Sequence, residues 1–191
     1  MPEPLVIQCA ITGSVDPDPE RRPNLPTTPE AIVAEALAAW RAGATVLHLH
    51  AREPDGTPTQ DREAYRGLVD ALRDAGCAAI VNVSCGTAGG RAVRDERLGP
   101  LELAPEMASF DCGSINFREQ LFEGDLPFLR RMAETFRGHV RTGLEDNLWY
   151  RRGRRATNAM LVERIVRIAT ELDRPLATPD EARTILGLEP R

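Results

Sequence analysis

Arg41-Ala42-Gly43-Ala44-Thr45-Val46-Leu47-His48-Leu49-His50-Ala51 holds the end of one helix and the whole of the strand that follows it. Gly43 supplies the glycine that commonly closes a helix. Thr45–Ala51 then reads as a strand, being short, apolar and partly β-branched. Upstream, Pro29–Ala42 has helical periodicity, and Thr28-Pro29 sets a hydroxyl cap before a proline at the first helical position. The same alternation recurs in both directions. Strands are predicted at Leu5–Ile11, Ala78–Ser84, Met107–Asp111 and His139–Leu144, and helices at Asp61–Ala75, Leu126–Thr135, Thr157–Leu172 and Pro179–Leu186. Thr178-Pro179 repeats the start signal, and Glu181 completes a capping box with Thr178. Five strands alternating with helices define an α/β chain with a largely parallel sheet. Taken alone, this pattern suggests an open five-stranded doubly wound sheet with its functional loops at the carboxyl ends of the strands. A complete eight-stranded barrel takes about 250 residues, and this chain has 191.

Composition narrows the function classes. With 42% hydrophobic and 28% charged residues, the chain can bury the core of one domain. No repeat, low-complexity tract or linker divides residues 1–191. A net charge of −5 and the lack of a basic stripe interleaved with aromatics argue against a nucleic-acid partner. Arg151, Arg152, Arg154 and Arg155 form the one local exception, read either as a solvated loop before a helix or as a site for a phosphorylated small molecule. The first residues, MPEPLVIQCAITGS, lack a signal-peptide pattern, and no apolar run reaches the roughly 18 residues of a membrane span, so a cytoplasmic protein is expected. Cys9, Cys77, Cys85 and Cys112 form no C-x-x-C pair and read as reduced, mostly structural residues.

Three places could carry chemistry. His48 and His50 are two residues apart on a strand, so both rings share one face while Leu47 and Leu49 take the other. That arrangement suits a divalent metal, although two separately hydrogen-bonded histidines would produce the same pattern. In Val140-Arg141-Thr142-Gly143-Leu144-Glu145-Asp146-Asn147, an apolar strand runs into carboxylates. Glu145 could complete a two-histidine, one-carboxylate site and leave Asp146 as a base, or the carboxylates could form an exposed turn or a helix cap. Asn82-Val83-Ser84-Cys85-Gly86-Thr87-Ala88-Gly89-Gly90 could bring backbone N–H groups to a carboxylate or phosphate, but it lacks P-loop spacing and reads first as a plain strand-to-helix turn.

Taken together and in order, these motifs resemble the β-keto acid cleavage enzymes, the family that includes 3-keto-5-aminohexanoate cleavage enzyme. The matching runs are Ala10-Ile11-Thr12-Gly13-Ser14, Leu25-Pro26-Thr27-Thr28-Pro29-Glu30, His48-Leu49-His50-Ala51-Arg52 and Asn82-Val83-Ser84. They continue through Glu96-Arg97-Leu98, Pro105-Glu106-Met107-Ala108-Ser109, Gly113-Ser114-Ile115-Asn116-Phe117, Arg141–Asn147 and Ala177–Arg183. The resemblance implies a TIM barrel and a reaction in which a β-keto acid and acetyl-CoA give acetoacetate and a new acyl-CoA. It implies Zn2+ held by His48, His50 and Glu145, with Asp146 and Arg141 as the proton-abstracting pair and Ser84 and Ser109 near the substrate. The implied partners are the small-molecule β-keto acid and acetyl-CoA, and a homo-oligomer is expected.

Two departures qualify the match. Ser14-Val15 stands where the family carries an acidic, amine-recognising residue, which argues against an aminated hexanoate as substrate. Arg137-Gly138 leads directly into a run resembling the last barrel strand, so about three βα units, on the order of 90 residues, are missing at a junction near 136–139. The expectation is a partial (β/α) TIM-barrel-like domain that retains about five βα units. Its exposed edges would need a partner, and Glu145 would reach the histidines only if something other than barrel closure brought the last strand beside the first. The runner-up readings are a non-catalytic remnant or structural partner of a full-length relative, and an independent five-stranded fold.

Overall fold

A computed structural model describes residues 4–15, 17–85, 96–109 and 139–189. In chain order the elements are β1 (Ile7–Ala10), α1 (Pro29–Arg41), β2 (Val46–Leu49), β3 (Ala51–Arg52), β4 (Pro58–Thr59), α2 (Arg62–Asp74) and β5 (Ile80–Ser84). A 3-10 helix at Glu96–Leu103 precedes β6 (Met107–Ser109). After these come β7 (Val140–Thr142), β8 (Trp149–Arg151), β9 (Arg154–Arg155), α3 (Asn158–Glu171) and α4 (Pro179–Ile185). The predicted helix at Leu126–Thr135, residues 110–111 of the fourth predicted strand, Cys112 and the junction residues before His139 lie outside the described residues.

Local chemistry accounts for the helix starts. Thr28, Asp61, Thr157 and Thr178 each accept a backbone N–H of the first turn, and the Thr178–Glu181 capping box is complete. Gly43, at φ +115, ends α1 as its sequence context implies.

The five main strands are parallel, in the order β6-β5-β2-β1-β7. The first four of these strands therefore lie side by side in chain order, and the last lies beside the first. Ile7, Cys9, Ile11, Leu47, Leu49, Val81 and Val83 pack on one face with Ile32, Ala36, Ala39, Leu68, Leu72 and Val162 of α1, α2 and α3. Helix α1 touches both α2 and α3. A doubly wound sheet would divide these helices between its two faces, so that alternative gives way to the barrel-like arrangement, with all three on one side. On the opposite face, Val6, Val46 and Ile80 meet Ala177, Ala182 and Ile185, so α4 covers the amino-terminal end of that surface. Polar residues follow on the same face toward the carboxyl ends of the strands: Gln8, then His48 paired with Asn82.

Two small hairpins escape the sequence reading. Strand β3 pairs with β4 and β8 with β9, both antiparallel. The arginine stretch is therefore a hairpin with Gly153 at its turn (φ +75), not an irregular loop. Cys9, Cys77 and Cys85 are buried, and among the described residues none of them forms a disulfide.

Candidate metal centre

His48 ends up buried because β2 lies in the middle of the sheet between β1 and β5, and His50 follows one residue past its end. Each ring points away from the helices, opposite Leu47 and Leu49, and the two rings meet edge to face with centroids 4.9 Å apart.

Glu145 comes from the far end of the chain. Strand β7 pairs directly with β1, in the register Ile7↔Val140 and Cys9↔Thr142, and this pairing brings Glu145 to the histidine strand's side of the sheet. Three further contacts set its position. Gly143 crosses the Ala10 backbone so closely that a Cβ there would meet Ala10 O at 2.0 Å. The Cβ that Gly13 lacks would lie 2.8 Å from Glu145 Cγ, at a φ of +83. Asn158, fully buried at the start of α3, accepts the Leu144 N–H at 2.9 Å and donates to Ile11 O at 2.9 Å, tying the ends of β7 and β1 together.

Three ligand atoms converge as a result. His48 Nε2 and His50 Nε2 are 3.1 Å apart, and Glu145 Oε2 lies 3.4 Å from the first and 3.5 Å from the second. Donors held about 2.0–2.1 Å from a single tetrahedral ion would be separated by about 3.3–3.4 Å, whereas neighbouring octahedral positions at the same bond length would be about 2.9 Å apart. The two edges to Glu145 match the tetrahedral spacing, and the edge between the histidines lies between the two. Among the described residues Glu145 Oε2 is buried without a hydrogen bond, as is His48 Nδ1. Burial and the adjacent His50 hold the His48 imidazole down at about 3, so it is neutral near pH 7. Burial would raise the Glu145 carboxyl, but the two imidazoles and Arg141 outweigh it and bring the group down to about 2. A neutral imidazole and an anionic carboxylate whose lone pairs face one another form a set of donors suited to a cation.

Arg141 organises the exposed side. Its Nε donates to Asp146 Oδ2 and its Nη2 to Asp146 Oδ1, both at 3.1 Å, and Nη2 also lies 2.9 Å from Glu145 Oε1. One carboxylate oxygen of Glu145 is thereby engaged, which turns Oε2 toward the histidines. Ser84 is buried at the carboxyl end of β5 and pairs in register with half-buried Ser109. His50 follows Leu49 just as Ser84 follows Val83, so the two serines continue the same row of the sheet. Arg52 was not singled out for a role from sequence. It is buried, and donates to Thr12 Oγ1, Gly13 O, Val15 O and Gly56 O, clamping the loop that packs on Glu145.

Fold and site together define a TIM-barrel-like α/β protein with a cation-ready cluster of two histidines and one carboxylate at the carboxyl ends of its parallel strands. The family model for beta-keto acid cleavage enzymes matches residues 4–138 and, separately, 131–188. The chain belongs to the beta-keto acid cleavage enzyme family. It is 35% identical to the 3-keto-5-aminohexanoate cleavage enzyme of Acetoanaerobium sticklandii, with 97% of this chain and 99% of the relative covered. The alignment runs over 272 residues, about 80 more than this chain contains. It is also 27% identical to the 3-oxoadipate:acetyl-CoA acetyltransferase of Cupriavidus necator, with coverage of 98% and 96%. Among solved structures, the ternary complex of ObcA with a C4-CoA adduct and oxalate is similar in fold, with a TM-score of 0.59 at 15% identity over 87% of this chain and 68% of that one. No helix among the described residues is long and apolar enough to cross a membrane.

Proposed function

We propose that this chain is a zinc-dependent β-keto acid cleavage enzyme that converts a β-keto acid and acetyl-CoA to acetoacetate and a new acyl-CoA. The observation that carries this reading is the triangle of His48 Nε2, His50 Nε2 and Glu145 Oε2, whose edges of 3.1–3.5 Å leave its three atoms within reach of one ion. Acetyl-CoA as co-substrate is supported by the names of relatives such as the Cupriavidus enzyme. Zinc bound by these three side chains would polarise the keto oxygen and offset charge that develops on it.

In this reading Asp146 takes the proton from the carbon between the keto group and the carboxylate. Arg141 holds Asp146 by a two-pronged contact and fixes it next to Glu145. The carbanion attacks the acetyl carbonyl of acetyl-CoA and expels the CoA thiolate. That thiolate then adds to the original keto carbon, the carbon–carbon bond breaks, and the departing carbanion recovers a proton to become acetoacetate. Ser84 and Ser109, side by side at the strand ends, are assigned to the substrate's polar groups.

The excess length of the alignment supports a single domain over 1–191 that lacks about three βα units near 136–139. It also motivates the competing reading, a non-catalytic partner of a full-length relative. Incubating zinc-loaded protein with a panel of β-keto acids and acetyl-CoA separates the two. Acetoacetate formation that disappears in His48→Ala supports the enzyme, while inactive protein that elutes as a complex with a full-length relative supports the partner.

A further inference from the structure

The arginine hairpin takes no part in the chemistry above. We infer that the β8–β9 hairpin is the docking site for the phosphates of CoA, an assignment that rests on the acetyl-CoA-dependent reading. Arg151, Arg152, Arg154, Arg155, Arg164 and Arg167 belong to the hairpin and to the middle of α3, which packs against it, in a chain whose net charge is −5. Among the described residues none of the six makes an ion pair. Such a concentration of cations with no ion pair among them sets up a local positive field that attracts an anion.

The pairing within the hairpin sharpens the point. Arg151 stands opposite Arg154 across the two-stranded ladder, where like charges repel. Aromatic stacking holds the guanidinium planes. Arg155 lies 4.0 Å from the Trp149 ring centre, and Arg154 and Arg164 lie 5.2 and 3.9 Å from that of Tyr150. A stacked guanidinium keeps its edge N–H donors free, which is the geometry that grips a phosphate with two parallel hydrogen bonds. Arg164 also donates to Tyr150 O, and Arg167 donates to the Tyr150 hydroxyl at 2.6 Å, bracing the hairpin against α3. Trp149 is 46% exposed and offers a flat face beside these cations.

Position completes the case. The hairpin begins four residues after Glu145, so Trp149 is within about 14 Å of chain from the proposed metal ligand. It follows the carboxyl end of β7, the same end of the sheet at which His50, Ser84 and Ser109 lie and where substrates of such folds bind. Tyr150 packs on the cluster containing Leu144, the residue before Glu145. A ligand with a reactive thioester at one end and phosphates at the other could therefore reach both.

The test is to titrate CoA and pantetheine, which lacks every phosphate, into zinc-loaded wild type and Arg151→Glu/Arg154→Glu. Both substitutions are at exposed positions, and equal zinc content and thermal midpoint verify the fold. Wild type should bind CoA at least tenfold more tightly than pantetheine, with the advantage shrinking as salt rises. The double variant should lose that advantage while keeping its pantetheine affinity. A variant that binds CoA as tightly as wild type overturns the hairpin assignment and leaves the acetyl-CoA reading standing. Wild type that binds CoA and pantetheine equally, or whose CoA affinity ignores salt, also overturns it. Wild type that binds neither removes the acetyl-CoA reading with it.

Discussion

Gly143 rests on Ala10 with no room for a side chain: a Cβ on Gly143 would fall 2.0 Å from Ala10 O and 2.6 Å from Ala10 N. Its φ of +150 is also one that other residues rarely adopt. Gly143→Ala should therefore push the end of β7 away from β1 and carry Glu145 with it. Strain and overpacking together should cost about 2–5 kcal/mol, measurable as a lower urea midpoint. Zinc affinity should fall with it, and a variant that unfolds and binds zinc like wild type would show that this contact does not set the ligand.

Asn158 links the same two strand ends from the helix side, and it also accepts the Cys9 thiol and donates to Glu35. Asn158→Ala would leave the buried Leu144 N–H and Ile11 carbonyl without partners, each worth about 1–3 kcal/mol. Chemical unfolding should show a loss of about 2–5 kcal/mol, and hydrogen exchange at Leu144 should accelerate. Unchanged exchange there would mean the strand ends are held by other contacts.

Much of this site could be read from the chain, but not how it is assembled. His48 and His50 were legible because a strand repeats every two residues, a local rule. The reach of Glu145 was not, because it depends on pairing between strands more than 130 residues apart, on two glycines, and on one asparagine at a helix start. The four observed helices begin within a residue of their predicted positions, since a hydroxyl or carboxylate cap is a short-range signal. Strands β3, β4, β8 and β9 have only two or three residues each, too few to show alternation, and arginine-rich β8–β9 offered no apolar face to read.

Acid should destabilise the metal-free protein by a route the site dictates. His48 has a pKa of about 3 when folded against 6.5 ordinarily, and Glu145 about 2 against 4.5. The folded state thus binds fewer protons than the unfolded one, so stability is complete above about pH 6.5. It declines as pH falls toward 3 through His48, and between 4.5 and 2 through Glu145. Thermal midpoints recorded with a chelator should drop between pH 7 and 5, and His48→Gln should flatten that slope. A wild-type midpoint that is level or rising toward pH 5 would contradict the buried, neutral His48.

Breaking the Arg141–Asp146 fork tests the division of labour beside the ligands. Arg141→Lys keeps the charge but cannot make both 3.1 Å contacts, so kcat should fall on the order of 10-fold to 100-fold with zinc content retained. Asp146→Asn should cost more, about 100-fold or beyond, because a proton acceptor is lost. Equal activity in Asp146→Asn and wild type would remove Asp146 from the proton transfer.

The central claim is that His48, His50 and Glu145 hold a single zinc ion, and metal analysis of purified protein tests it most directly. Wild type should carry about one zinc per chain after dialysis, and His48→Ala and Glu145→Gln, verified as folded, should carry almost none. Folded wild type that takes up no zinc, or variants that retain it at full stoichiometry, would contradict the account.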